Sequence, residues 1–199
     1  MKSLKYFSQK IAIIAILLIS FFGMNLKQSE AQPPCPTGYT SGVFQTFVDG
    51  CWYEITLCYK CSAVSHIPSE VMLYSYRPLS VNCIPTKTDA EIMELLRQKG
   101  VTFFLSTCVP TPCGETPIFY FVENEYACWK RTGANNEIVE PCTSNAICQT
   151  LKSACRNNND LQTTTYYSDW QNTEPDCGSI TNEIPQNGSC VRLKTLCDD

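Results

Sequence analysis

The chain has 199 residues and 14 cysteines, with 15 lysines and arginines against 19 aspartates and glutamates, so its formal net charge is −4. The basic residues form no patch, which argues against partners such as nucleic acid and anionic membranes. The length suits one domain with a hydrophobic core of its own.

The first 31 residues have the features of a secretory signal peptide. Lysines precede an apolar run over residues 11–22, and Ser29-Glu30-Ala31 offers the small residues of a cleavage site. The alternative is a membrane anchor, but the apolar run is short for the roughly 20 residues that cross a bilayer. We therefore expect cleavage before Gln32, a single secreted or cell-surface domain over 32–199, and no membrane insertion after cleavage.

All of the cysteines lie beyond this signal segment. Their number is even and their density is typical of secreted disulfide-stabilised proteins, so seven disulfides are expected, with a pairing that the sequence does not define. The cysteines are Cys35, Cys51, Cys58, Cys61, Cys83, Cys108, Cys113, Cys128, Cys142, Cys148, Cys155, Cys177, Cys190 and Cys197.

Asp49-Gly50 separates two runs of alternating apolar residues, which is a strong signal for a β-hairpin with a two-residue turn. Such a turn pairs Val48 with Cys51 and Phe47 with Trp52. Because side chains alternate along a strand, one face is expected to enter the core. That face carries Phe44, Val48, Cys51, Tyr53, Ile55 and Leu57.

Cys51 and Cys58 lie on the second strand of this hairpin and cannot pair with each other. Seven residues of extended strand span about 23 Å, whereas a disulfide needs Cα atoms roughly 4.4–6.8 Å apart. Each of these cysteines should therefore join the hairpin to a different part of the chain.

Further elements follow in order. We expect a strand over Val71–Tyr76 and a helix that begins at a capping box of Thr88 and Glu91 and ends at Gly100. A strand over Val101–Thr107 follows. A second helix is expected over Thr143–Arg156, because the apolar residues Cys148, Leu151 and Cys155 recur at helical spacing. A further strand is expected over Thr163–Ser168.

Two more hairpins are expected, one over Pro117–Arg131 and one that turns at Asn187-Gly188 and pairs Ile184 with Val191. With the first hairpin they suggest quasi-repeats over 35–107, 113–168 and 177–197. The expected fold class is thus α+β and disulfide-rich, with three quasi-repeated antiparallel hairpins and two helices packed on the sheet.

Cys58-Tyr59-Lys60-Cys61 forms a CxxC motif, for which structural disulfides are the favoured interpretation. Alternatives are a redox centre, or a zinc site that combines this pair with Cys108 and Cys113. No signature of nucleophilic, metalloprotease or phosphate-binding chemistry is present. We expect no cofactor and no enzymatic activity, although carboxylates that meet only in space leave a hydrolase open.

Aromatic residues are the strongest candidates for binding. Trp52 and Phe47 should share the outer face of the first hairpin, and Trp129 holds a matching position in the second. These three residues either lie beneath helices packed on that face or form an exposed patch for a partner subunit or a glycan.

The sequences CPTGYT, GCWYEI and LCYKC, between Cys35 and Cys61, resemble secreted cysteine-rich proteins of bacteria. The resemblance covers this hairpin region and implies no activity.

Three functions are therefore carried forward. The first is a secreted, non-enzymatic structural or adhesive protein that assembles with itself or with other cell-surface components into a surface layer or fibre. The second is a monomeric module that binds a glycan or a protein through exposed aromatics. The third is a secreted hydrolase with an acidic dyad.

Overall fold

A computed structural model of the protein describes residues 35–64, 66–80, 82–135, 137–142, 146–158, 160–171 and 175–198. The expected signal peptide and its cleavage site lie outside these residues. The described residues form one compact unit.

The described part of the chain forms nine strands and one α-helix. The strands are β1 (Thr40–Val48), β2 (Cys51–Lys60), β3 (Ser69–Pro78), β4 (Phe119–Tyr126), β5 (Cys128–Thr132), β6 (Ile138–Pro141), β7 (Ile147–Asn157), β8 (Asp160–Trp170) and β9 (Val191–Arg192); the helix is α1 (Asp89–Thr107), and a 3₁₀ turn follows at Leu196–Asp198. The expected α+β fold with two helices is wrong, because the structure is mostly β.

The strands form one mixed sheet that branches at β3. Six strands follow the order β1-β2-β3-β4-β7-β8, and every neighbouring pair is antiparallel except β3 and β4. β4 pairs with the first part of β3, whereas Tyr76 further along β3 pairs with Val139 and begins the branch β6-β5-β9. β1 and β8 are therefore the two open edges of the six-strand path.

The first hairpin is confirmed in its register. Val48 pairs with Cys51, Phe47 with Trp52, and the pairing continues without a shift to Thr40 opposite Tyr59. Asp49 and Gly50 have φ angles of 48° and 78°, as a type I′ turn requires. The expected core face is buried along its whole length except at Phe44, which is partly exposed.

The capping box at the start of α1 is also confirmed, with Thr88 accepting from the Glu91 amide while the Glu91 side chain accepts from the Thr88 amide. The expected end at Gly100 is wrong, and so is the strand over Val101–Thr107, because the helix continues to Thr107. A Cβ at Gly100 would come within 2.8 Å of Leu57 Cδ1. This glycine therefore lets the helix approach the sheet and does not terminate it.

The expected second helix over Thr143–Arg156 is wrong. Residues 143–145 lie outside the described part of the chain, and residues 147–156 belong to β7. Its buried positions Cys148, Thr150 and Ala154 share one face, which is the period of a strand. Thr150 and Lys152 on this face are polar, which conceals the period in the sequence.

The second and third hairpins are wrong as well. β4 does not pair with β5; it lies between β3 and β7. Ile184 does not pair with Val191 but is buried in the core, while β9 pairs with β5. The expected repetition of hairpin, helix and strand is therefore not found in the described residues.

The seven expected disulfides are present. Cys51 and Cys58 have different partners, as the length of β2 requires. The pairs are Cys35–Cys58, Cys51–Cys83, Cys61–Cys108, Cys113–Cys155, Cys128–Cys177, Cys142–Cys190 and Cys148–Cys197.

Peptide mapping under non-reducing conditions should return these pairs. The most informative are those of Cys58 and Cys61, which are close in sequence but join Cys35 and Cys108. Trypsin cleaves after Lys60, and chymotrypsin cleaves after Tyr53 and Tyr76, so that together they separate Cys58 and Cys61 from each other and from the Cys51–Cys83 pair. The intact oxidised mass should lie below the reduced mass by two hydrogen atoms for each disulfide. A Cys58–Cys61 link, or a thiol that alkylates before reduction, would contradict this pairing.

Candidate functional site

The first candidate site is an exposed aromatic surface on β1 and β2. We call it the β1 patch; it consists of Val43, Phe47 and Trp52, which are 54%, 54% and 53% exposed. The Phe47 and Trp52 rings pack across the strand pair with centroids 5.5 Å apart. Two of the three expected binding residues are thus together on the surface, and their role as a partner site stays a prediction.

The opposite face of β1 is attached to the helix. The Phe44 ring stacks on Phe103 of α1 at 4.6 Å with the planes nearly parallel. A Cβ at Gly42 would come within 3.0 Å of Phe103 and 3.1 Å of Tyr59, so glycine is needed for this close contact. Within the described ranges, β1 is therefore held from one side only, and its outer face and outer edge are open.

The turn of this hairpin is fixed by Asp49. Its carboxylate accepts hydrogen bonds from the Thr86 amide at 2.5 Å, the Thr86 hydroxyl at 2.8 Å and the Lys87 amide at 2.9 Å. These bonds, first that from Lys87 and then those from Thr86, lower the pKa of Asp49. The Cys51–Cys83 disulfide joins the same two segments. The β1 patch thus lies on a rigid base.

Trp129 does not contribute to this surface. It is 2% exposed, its Nε1 donates to the Tyr126 carbonyl at 2.7 Å, and its ring packs against Tyr126 with centroids 6.2 Å apart. The expected matching exposed position is wrong because β5 lies in the interior branch of the sheet instead of at the end of a hairpin.

The cysteines of the proposed zinc site do not come together. Cys58, Cys61 and Cys113 each form a disulfide, and their partners are Cys35, Cys108 and Cys155. A thiolate is the form that binds zinc, and a disulfide sulfur supplies none. In the described ranges, no group of three or more histidine, cysteine or acidic side chains is placed to hold a metal ion.

A buried group of charges lies between α1 and the sheet, and we call it the Arg97 cluster: Glu94, Arg97, Glu123, Glu125 and Lys152. Arg97 forms ion pairs with Glu123 and, at 2.6 Å, with Glu94, and its Nε lies 3.9 Å from Glu125. Lys152 Nζ lies 2.6 Å from the second oxygen of Glu123. Helix α1 and strands β4 and β7 therefore meet at these charges.

Glu125 has a raised pKa within this cluster. Burial raises its pKa to about 7, although Arg97 and the Leu196 amide, which donates to it at 3.1 Å, favour the ionised form. Three carboxylates face two cations in the cluster, so protonation of Glu125 leaves the group neutral. Burial also works against the charged form of Arg97, but the surrounding carboxylates outweigh it and raise the pKa of Arg97.

This cluster is not among the sites predicted from the sequence. The signal was the alternation of Phe121, Glu123 and Glu125 in FYFVENEY, which places two acids on the apolar face of one strand. Two nearby carboxylates invite comparison with the acidic dyad of a hydrolase. Glu123, however, is 1% exposed and paired with two cations, so no substrate can reach it. Glu123 and Glu125 therefore do not support the hydrolase hypothesis.

Comparison of the chain with family models, curated proteins and solved structures gave no match in any of the three. Within the described residues, none of the helical segments has the length and hydropathy of a membrane span. The many disulfides are compatible with an extracellular protein.

Replacement of Arg97 by methionine should lower the free energy of unfolding by about 3–5 kcal/mol, because the buried Glu123 and Glu125 lose the cation that they share and Lys152 alone remains to offset them. Arg77→Met is the matched control, since Arg77 pairs with Glu54 where both are more exposed, and it should cost about 0–1 kcal/mol. Urea unfolding of the oxidised proteins measures both values. Equal losses in the two variants would contradict a structural role for the cluster.

Glu125→Gln should remove part of the pH dependence of stability. Between pH 4.5 and about 7 the folded protein holds a proton on Glu125 that the unfolded chain has released. The stabilisation from this group is complete below pH 4.5 and is lost as the pH rises through 7. The variant should therefore be more stable than the parent protein above pH 7, on the order of 1–3 kcal/mol.

Urea unfolding measured across this pH range tests the expectation. Glu140→Gln is the control, because Glu140 is a partly exposed carboxylate that pairs with Lys130 at 3.4 Å. If Glu125→Gln shows the same pH profile as the parent protein, Glu125 is not protonated in the folded state near neutral pH.

Proposed function

We propose that the protein is a secreted, non-enzymatic structural or adhesive subunit that associates with a second copy of itself through the open edge of β1. The observation that carries the proposal is the chemistry of this edge. Among the residues that the structure describes, β1 pairs only with β2, and its nine residues include no charge, no proline and no register shift. Natural proteins usually protect open edges with such features, and an unprotected edge accepts another strand.

The backbone groups that face outward on β1 follow from the hairpin register. The residues that flank a two-residue turn form a hydrogen-bonded pair, here Val48 and Cys51. Hydrogen-bonded and non-bonded positions then alternate along the strand. The N–H and C=O groups of Val43, Gln45 and Phe47 therefore point away from β2 and are open to a partner strand.

An antiparallel pair of β1 strands related by a two-fold axis at Gln45 uses all of these groups. Gln45 then faces Gln45 of the second copy, and Val43 faces Phe47 of the second copy. The outer side chains of the β1 patch continue across the junction, so apolar surface is covered as the backbone bonds form. Because the same surface is used on both subunits, the contact closes as a dimer.

Secretion is supported by the seven disulfides, which persist in oxidising compartments. The proposal requires no catalytic group.

Gln45→Lys should abolish dimerisation, because it places two lysines opposite each other at the centre of the junction. Sedimentation velocity over a range of protein concentrations is the measurement, and the parent protein should show a dimer that the variant lacks. Gln98→Lys adds the same charge on the exposed side of α1 and should leave the dimer intact. A parent protein that stays monomeric at the highest concentration would refute the proposal.

Two charge substitutions test separately the register in which the two β1 strands pair in the proposed dimer. Val43→Lys and Phe47→Glu should each weaken the dimer, since each places a charge opposite an apolar residue. The double variant should restore it, because Lys at 43 then faces Glu at 47 of the second copy at both ends of the junction. If the double variant is as weak as the single variants, the two-fold axis does not pass through Gln45.

A further inference from the structure

Two cavities lie on either side of the loop over residues 111–118. The larger has a volume of about 330 Å³ and lies against β7 and β8; the smaller has about 130 Å³ and lies against the loop after β2. Both are lined by Thr111 and Ile118, so they are adjacent. We call the two adjacent cavities the tyrosine groove.

Each cavity is lined by one tyrosine, and the two tyrosine rings contact each other. Tyr120 lines the smaller cavity and Tyr166 the larger, and their centroids are 5.9 Å apart with the planes tilted by 49°. Tyr166 is the extra residue of a bulge in β8, because Leu151 pairs with Tyr167 and Lys152 with Thr165. The bulge turns Tyr166 towards Ser153, whose hydroxyl lies 3.1 Å from the Tyr166 hydroxyl.

The rest of the lining is neutral and rich in hydrogen-bonding groups. Of the described residues that line the two cavities, Glu115 is the one that carries a charge. Hydroxyl and amide side chains that both donate and accept suit a ligand that itself carries hydroxyls. The polar lining residues other than Glu115 and the tyrosines are Ser62, Ser69, Thr111, Thr116, Ser153, Gln162 and Thr164.

The groove is rigid before any ligand arrives. The loop is joined to β7 by the Cys113–Cys155 disulfide and by two backbone bonds of 3.0 Å, from Cys113 to the Arg156 carbonyl and from Arg156 to the Thr111 carbonyl. The Thr111 hydroxyl also donates to the Pro117 carbonyl at 3.0 Å. A preformed site loses less conformational freedom on binding, so even a small groove can bind measurably.

We infer that the tyrosine groove binds a neutral oligosaccharide. A sugar ring presents C–H groups that stack on aromatic faces and hydroxyls that bond to serine, threonine and glutamine. The two adjacent cavities, with a tyrosine in each, suit at least two consecutive sugar units. This site is separate from the β1 edge, so its existence does not depend on the proposed dimer.

Calorimetric titration with soluble neutral oligosaccharides tests the inference. The neutral probes are maltotetraose, cellotetraose, mannotetraose and fully N-acetylated chitotetraose, and a heparin tetrasaccharide is the anionic control. At least one neutral probe should bind with saturation and the heparin fragment should not. Tyr166→Ala should weaken that binding about tenfold or more through loss of the stacking surface.

Tyr167→Ala is the matched control, because Tyr167 is the adjacent tyrosine, is 60% exposed and does not line either cavity. It should leave the affinity within about twofold of the parent value. Gln162→Ala, a mild change at an exposed residue of the larger cavity, should also weaken binding.

Three results would overturn the inference: no saturable binding of any neutral probe at millimolar concentration, equal losses from Tyr166→Ala and Tyr167→Ala, or preferred binding of a neutral serine- and threonine-rich peptide. The last result would assign the groove to an extended peptide. All titrations use the oxidised protein, and the Gln45→Lys variant should bind the probes as the parent does, which separates this site from the dimer.

Discussion

The contact on which the rest of the structure depends is that of Arg97 with the carboxylates beneath it. Arg97 projects from the middle of α1, between an apolar cluster around Leu96 and a second around Phe104. The two clusters hold the helix against the sheet, but apolar contacts alone tolerate small shifts. The Arg97 guanidinium must reach one oxygen of Glu123 while Lys152 binds the other, and this requirement allows the helix only one position on the sheet. The ion pairs therefore fix the register of the helix more than they add to its stability.

The disulfides complement this contact where regular structure is scarce. Three of them attach the segment over 175–198 to β5, to the end of β6 and to β7. That segment contains only the two residues of β9 and one 3₁₀ turn as regular structure, so its backbone gains little from strand pairing. Disulfides lower the conformational entropy of the unfolded chain, and this stabilisation can replace part of what strand hydrogen bonds would otherwise contribute. The Leu196 amide then reaches Glu125, which connects this segment to the Arg97 cluster.

Local features of the sequence were predictable, and non-local ones were not. The turn at Asp49-Gly50 and the capping box at Thr88 depend on a few neighbouring residues, and both are found as expected. Gly100 was misread because its role is set by Leu57, more than forty residues earlier in the chain. β7 was misread because its buried face includes Thr150 and Lys152, which take partners on other strands. Of the binding residues, Phe47 and Trp52 could be placed from the hairpin alone, whereas Trp129 depended on strand order.

The tyrosine groove could not be predicted from the sequence either, because it too depends on non-local contacts. Tyr120 and Tyr166 belong to strands that are not neighbours, since β7 lies between β4 and β8. Only the sheet order and the bulge at Tyr166 bring the two rings together. The loop that completes the groove is placed by a disulfide whose pairing the sequence leaves open.

The tyrosine groove does not include the β1 edge, since its lining extends from the loop after β2 to β8, and the proposed dimer therefore leaves both grooves free. β4, which carries Tyr120, is three strand spacings from β1, or about 14 Å. A dimer joined at β1 would therefore carry its two Tyr120 strands roughly 34 Å apart along one continuous, twisted sheet. A weak groove gains little from a single sugar chain, but two grooves held at a fixed distance bind a polymer or a dense glycan surface with a much higher effective concentration. The proposed self-association at the β1 edge and the proposed weak binding in the groove would thus serve the same adhesive function.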